Sequence, residues 1–116
     1  VAANALRRMG TDDIAMVGID HDEAVISAIK DGVIDGTMIQ NPYGQGYIGA
    51  YALDKLRSGC TIKDDAPFGS NALTEKFIDS GTAYVDASNA DSYLDTMRAE
   101  TDRILADFDA TYLNCE

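Results

Sequence analysis

The sequence predicts an α/β domain with a short, mainly parallel sheet. Short apolar runs alternate with amphipathic stretches in the order helix, strand, helix, strand, helix, strand, helix, as in chained βαβ units. Three of the helical stretches stop at a glycine, at Gly10, Gly32 and Gly59, where helices commonly close. The 116 residues, 46% of them apolar, suffice for one small domain with a modest core and argue against disorder.

In chain order, Ala2 to Met9 reads as a helix closed by Gly10. Asp13 to Ile19 is a short apolar run, the pattern of a strand buried on both faces. Asp22 is placed to cap a helix reaching about Asp31, with Val25, Ile26 and Ile29 on one face. Gly36 to Gln40 is the second strand, and Pro42 suits the first turn of a helix to about Arg57. Thr82 to Asp86 is the third strand. Asp91 to about Phe108 is a strongly acidic helix, with Tyr93, Leu94, Met97, Ile104, Leu105 and Phe108 as its apolar positions. Ser58 to Glu75 is long for a connection, so it is expected to cap something or to be held by a further part.

Twenty acidic and nine basic residues leave a formal charge of −11. That excludes nucleic acid as a partner, since phosphates need clustered Lys and Arg, and an anionic membrane surface equally. Most of the acidity follows residue 58, with a balance of −3 before it and −8 after. Asp12-Asp13 and Asp64-Asp65 read as turn residues. No apolar run approaches the roughly 20 residues of a membrane span. The chain starts at Val1 and enters a helix directly, so it is expected to be a piece of something longer. Cys60 and Cys115 are the only thiols; one disulfide in an oxidising compartment and two unpaired thiols both remain open. With no CxxC and His21 as the only histidine, no metal site and no cofactor are expected.

Ligands of α/β sheets bind outside the carboxyl ends of the strands. Two such ends are Ile19-Asp20-His21 and Gln40-Asn41, each leading into a helix. Asp20 has the chemistry to accept hydrogen bonds from a vicinal diol, as in sugar recognition, or to share the capping of the next helix with Asp22. His21 is placed to touch a ligand from the loop, while Asp20-His21-Asp22-Glu23 reads as an acidic helix start rather than a metal cluster. Gln40 and Asn41 offer amides that match a hydroxyl both as donor and as acceptor, with Asn41 alternatively making a turn before Pro42. Gly44-Gln45-Gly46-Tyr47-Ile48-Gly49 matches G-x-G-x-x-G but starts late after the strand, so close helix packing explains it more simply than a dinucleotide does.

The set VGID (17–20), AIKDG (28–32) and QNPYGQGY (40–47), followed by GTAYVDASN (81–89), resembles the C-terminal part of ribose-type periplasmic sugar-binding proteins, the substrate-binding subunits of bacterial ABC importers. The resemblance covers most of residues 1–93 and implies a partial Rossmann-like lobe of the periplasmic binding protein type I fold. It implies non-catalytic capture of a sugar between two lobes, a membrane permease as partner, and a periplasmic or other extracytoplasmic location. Asp20 and Gln40 take the positions of sugar-contacting residues; Asn41 and Tyr43 fall at the hinge. Residues 1–41 would belong to the sugar lobe, 42–78 would cross to the other lobe, and 79–116 would hold the return strand and acidic helix. The helix from Tyr43 to Arg57 would lack the lobe it normally meets, so a homo-oligomer is expected for the isolated chain. Two other readings are the effector-binding domain of a lac-repressor-type transcription regulator and a nucleotide-dependent enzyme using the GQGYIG glycines.

Overall fold

The fold is that of a computed structural model, which describes residues 2–10 and 14–115, leaving out the side chains of Ala3 and Leu6. The turn residues Asp12 and Asp13, and with them the start of the expected first strand, lie outside the described residues. The elements are α1 (Ala2–Met9), β1 (Val17–Ile19), α2 (Glu23–Lys30), β2 (Gly36–Gln40), α3 (Pro42–Arg57), β3 (Thr61–Ile62), β4 (Thr82–Val85), α4 (Tyr93–Ala106), α5 (Phe108–Tyr112) and β5 (Leu113–Asn114). They fall into two compact units, Val1–Gln40 with Thr82–Asp95, and Asn41–Gly81 with Thr96–Glu116.

The first unit is a three-stranded sheet in the order β1-β2-β4. β1 and β2 pair in parallel, but β4 runs antiparallel to β2, so the sheet of this α/β chain is mixed rather than mainly parallel. The register gives the reason. Gln40, the last residue of β2, pairs with Thr82, the first of β4, so the chain re-enters the sheet at the end where it left it. A strand entering there must run back.

Strand alternation splits this sheet into two faces. Gly18, Thr37 and Val85 form an inner row, and Val25 of α2 stands over Gly18. Ile26, Ala28 and Ile29 of α2 are buried with it. The helix is held by local signals, with the Asp22 carboxylate accepting from the Ala24 N–H at 2.9 Å and Gly32 at φ 71° just beyond its end. The outer row Ile19, Met38 and Tyr84 is exposed, Ile19 at 80%. The expectation that β1 is buried on both faces is thus corrected: among the described residues a helical layer covers one face only. Tyr84 also lies across Gly36, where any Cβ would run into its ring. Ion pairs from Arg7 to Asp31 and from Lys30 to Asp91 tie α1 and the segment before α4 to the end of α2.

The second unit packs α3 on the C-terminal segment. Ile48 of α3 joins Ile104, Phe108 and Leu113 in one buried cluster, with Tyr51, Ala52 and Leu56 at its margin. One apolar face of α3 is therefore covered within this chain, while Tyr43, Tyr47 and Leu53 remain exposed. The acidic helix expected from Asp91 to about Phe108 is α4, which stops at Ala106, and after a break at Asp107 the short α5 follows. The break turns Phe108, 1% exposed, into the cluster. β3 and β5 pair antiparallel, Thr61 with Asn114 and Ile62 with Leu113, and Cys60 and Cys115 form a disulfide beside them. The long connection after Ser58 packs in part on the C-terminal segment. Its Lys63 N–H donates to the Tyr112 carbonyl at 3.0 Å, and its Phe68 ring lies 5.5 Å from that of Tyr112.

Candidate functional site

Asp20 follows the last residue of β1 and is exposed. Its φ is 80°, the sole positive value at a described residue other than glycine. That region crowds an L side chain, although Asp tolerates it better than most. Two hydrogen bonds to β2 hold the residue there. The Asp20 N–H donates to the Met38 carbonyl at 2.8 Å, and the Thr37 hydroxyl donates to the Asp20 carbonyl at 2.8 Å. The carboxylate is left facing solvent at a strand end, the place where an α/β sheet presents groups to ligands.

Gln40 ends the neighbouring strand and is exposed as well, on the sheet face that carries Met38. His21 is half-buried, its ring 6.1 Å from that of Tyr93, and its Nδ1 is buried without a hydrogen-bond partner. Asp22 is committed to capping α2. The first unit thus brings Asp20, His21 and Gln40 to the carboxyl ends of two adjacent strands. Among the described residues no group of His, Cys, Asp or Glu is arranged to hold a metal ion.

Asn41 and Tyr43 belong to the second unit and differ from each other. Asn41 is fully buried, and its amide donates to the Ser80 carbonyl (2.7 Å), the Met97 carbonyl (3.2 Å) and the Thr101 hydroxyl (3.0 Å). Its side-chain oxygen accepts from the Gly44 N–H at 2.9 Å, capping α3. The side chain is thus turned inward and bonded within the protein, and it caps the start of α3 as the turn-making alternative implies. Tyr43 is exposed. Its ring lies 4.4 Å from Tyr47 with Arg98 over it at 6.0 Å. Partial desolvation, followed by a hydrogen bond with Tyr47, raises its phenol above the ordinary 10.0.

The G-x-G-x-x-G glycines lie inside α3, and a single non-glycine residue, Asn41, separates that helix from β2. A dinucleotide loop needs its first glycine in that turn, so the nucleotide reading loses its structural context. Close packing explains Gly44, whose Cβ would stand 2.8 Å from Thr101 Oγ1, but nothing approaches Gly46 or Gly49. Sequence reasoning overlooked Thr37. The available signal was its polar side chain on the row of β2 that alternation assigns to the inside, beside Ile39.

Residues 1–60 match the family model of the periplasmic binding protein domain. The chain is 29% identical over 111 residues to a protein named xylitol-binding protein from Mycolicibacterium smegmatis. The match takes in 96% of this chain and 32% of that protein, so the chain spans about a third of its relative's length. No solved structure matches the chain. With more than half of its residues under that model, and an α/β architecture in agreement, the chain belongs to the periplasmic binding protein domain family.

Proposed function

We propose that this chain is the sugar-contacting part of a non-catalytic solute-binding protein, capturing a sugar or sugar alcohol for delivery to an ABC permease outside the cytoplasm. The observation that carries the reading is Asp20, an exposed residue held at φ 80° at the end of β1, with exposed Gln40 at the end of the adjacent parallel strand. A carboxylate and a primary amide together offer acceptors and donors to neighbouring hydroxyls. Family membership supports capture and release rather than catalysis, and the xylitol-binding relative supports a polyhydroxylated ligand. No helix among the described residues is long and apolar enough to cross a membrane.

Residues 1–41 act as the sugar-lobe portion, 42–78 as the segment crossing to a second lobe, and 79–116 as the return. The change of unit between Gln40 and Asn41, and again between Gly81 and Thr82, supports the first two limits, while Thr96–Glu116 groups with Asn41–Gly81 rather than with the return strand. Asn41 serves the hinge from inside and Tyr43 stands beside it. High affinity needs groups from a second lobe, so the isolated chain binds xylitol no tighter than millimolar. It also self-associates, a reading supported by the exposed row Ile19, Met38 and Tyr84. Titration of the labelled chain with xylitol, followed by amide shifts, tests the site: shifts centred on Asp20 and Gln40 support it, and shifts confined to other residues refute it. A monomeric mass in light scattering at tens of micromolar removes the oligomer.

A further inference from the structure

We infer that Thr37 is the positioning residue for the Asp20 carboxylate, fixing through its hydroxyl the left-handed backbone from which that carboxylate reaches a ligand. The inference rests on the reading of Asp20 as a ligand contact and adds to it a residue that touches no ligand. Thr37 is fully buried on the inner row of the sheet, between Gly18 and Val85. Valine has the same shape, suits a buried strand at least as well and brings no polar atom to satisfy. The Thr37 hydroxyl is satisfied by one bond that crosses to the neighbouring strand end, to the Asp20 carbonyl at 2.8 Å. Gly18 leaves it the room, since a Cβ there would stand 3.1 Å from Thr37 Oγ1.

The geometry converts that bond into a conformational preference. The Asp20 N–H is held by the Met38 carbonyl on one side of the residue, and the Asp20 carbonyl by Thr37 on the other. With both peptide groups pinned to β2, φ at Asp20 has little freedom. Without the hydroxyl the following peptide is released, and Asp20 relaxes toward the negative φ that an L residue favours. The carboxylate then leaves the direction in which the end of β1 now presents it.

The test uses the whole labelled chain with Thr37→Val and Thr37→Ser. The readout is the HN–Hα coupling and intraresidue Overhauser effect of Asp20, which report positive φ. Thr37→Val is expected to abolish that signature while the β1–β2–β4 amide ladder persists, and Thr37→Ser to retain it. Asp20 unchanged in Thr37→Val overturns the inference. Should Thr37→Val unfold, the double variant with Asp20→Gly decides. Refolding by glycine means the lost bond had been restraining a strained residue, and failure to refold means a purely structural role. A xylitol titration separates the two readings. Shifts at Asp20 in the wild type that weaken about fivefold in Thr37→Val support both, fivefold being the scale of one hydrogen bond. Wild-type shifts elsewhere refute the ligand reading and leave the coupling data to decide the role of Thr37.

Discussion

The amide nitrogen of Asn41 lies 3.0 Å from the hydroxyl of Thr101, with both residues at 0% exposure. The hydroxyl in turn donates to the Met97 carbonyl at 2.9 Å, so the pair links the start of α3 to the middle of α4 through groups that water cannot reach. Asn41→Ala strands the Gly44 N–H and the Ser80 carbonyl. A buried group without a partner costs about 1–3 kcal/mol, and loss of an N-cap about 1 kcal/mol. We expect Asn41→Ala to destabilise by about 2–4 kcal/mol, read as a lower urea midpoint at unchanged slope. Thr101→Val should cost less, and the double variant less than the sum, because the two act through one network. A variant as stable as the wild type would remove Asn41 from this role.

Cys60 and Cys115 close a loop of 55 residues of sequence separation. A cross-link of that span restrains the unfolded chain, and its removal costs about 2–4 kcal/mol. The reduced chain, or Cys60→Ser with Cys115→Ser, should therefore melt about 10 °C or more below the oxidised one, given roughly 4–8 °C per kcal/mol for a domain of this size. Amides of Ile62 and Leu113, paired next to the bridge, should lose exchange protection first. Equal melting temperatures with and without reductant would show that the bridge adds nothing.

These two features differ in how legible they were from sequence. The limits of α2 and β2 follow from local signals: a capping aspartate, a closing glycine, and an apolar run set between turn residues. Asp20 and Gln40 were legible for a related reason, since a polar residue straight after an apolar strand run stands at a sheet end. β3 and β5 were not. Each has two residues and exists only through a partner some fifty positions away, which no local pattern announces. The break at Asp107 was hidden because acidic residues occupy both sides of it, and only the burial of Phe108 requires the turn. The number of layers was illegible too. β1 reads as apolar throughout, and whether both faces meet a helix depends on what else packs there. Asn41 reads from sequence as an amide for a ligand hydroxyl, with a turn before Pro42 as the alternative; its burial and its bonds depend on Thr101, sixty residues on, which no local pattern announces.

Lys55 and Asp109 form an ion pair on the second unit, and the two groups shift in opposite directions. The hydrogen bond from Lys55 holds the Asp109 carboxyl below its ordinary 3.8. The same bond, with a further one to Tyr51, lifts Lys55 above 10.5. The aspartate's contribution is present above its unfolded value and is lost as pH falls through the lower folded one. The lysine's is present below its unfolded value and is lost as pH rises through the higher folded one. The pair therefore stabilises across the range between the two ordinary values and fades outside it at both ends. Asp109→Asn should lower the melting temperature at neutral pH by an amount that shrinks below pH 4. A difference constant from pH 3 to pH 7 would assign the effect to packing instead.

Asp20 allows stability and ligand capture to be separated at one position. At φ 80° a β-branched side chain is strained most, alanine less, and glycine not at all. Glycine costs some unfolded-state entropy in exchange, about 0.5–1 kcal/mol. Asp20→Gly should thus fall within about 1 kcal/mol of the wild type, and Asp20→Val should lose about 1–2 kcal/mol. Stability will rank with tolerance of the left-handed region. Ligand response will not, because both substitutions remove the carboxylate: each should abolish the xylitol-induced shifts at Gln40, including the well-folded glycine variant. If Asp20→Gly costs several kcal/mol, the carboxylate is instead a structural cap at the start of α2. If that variant keeps the shifts, Asp20 does not contact the ligand.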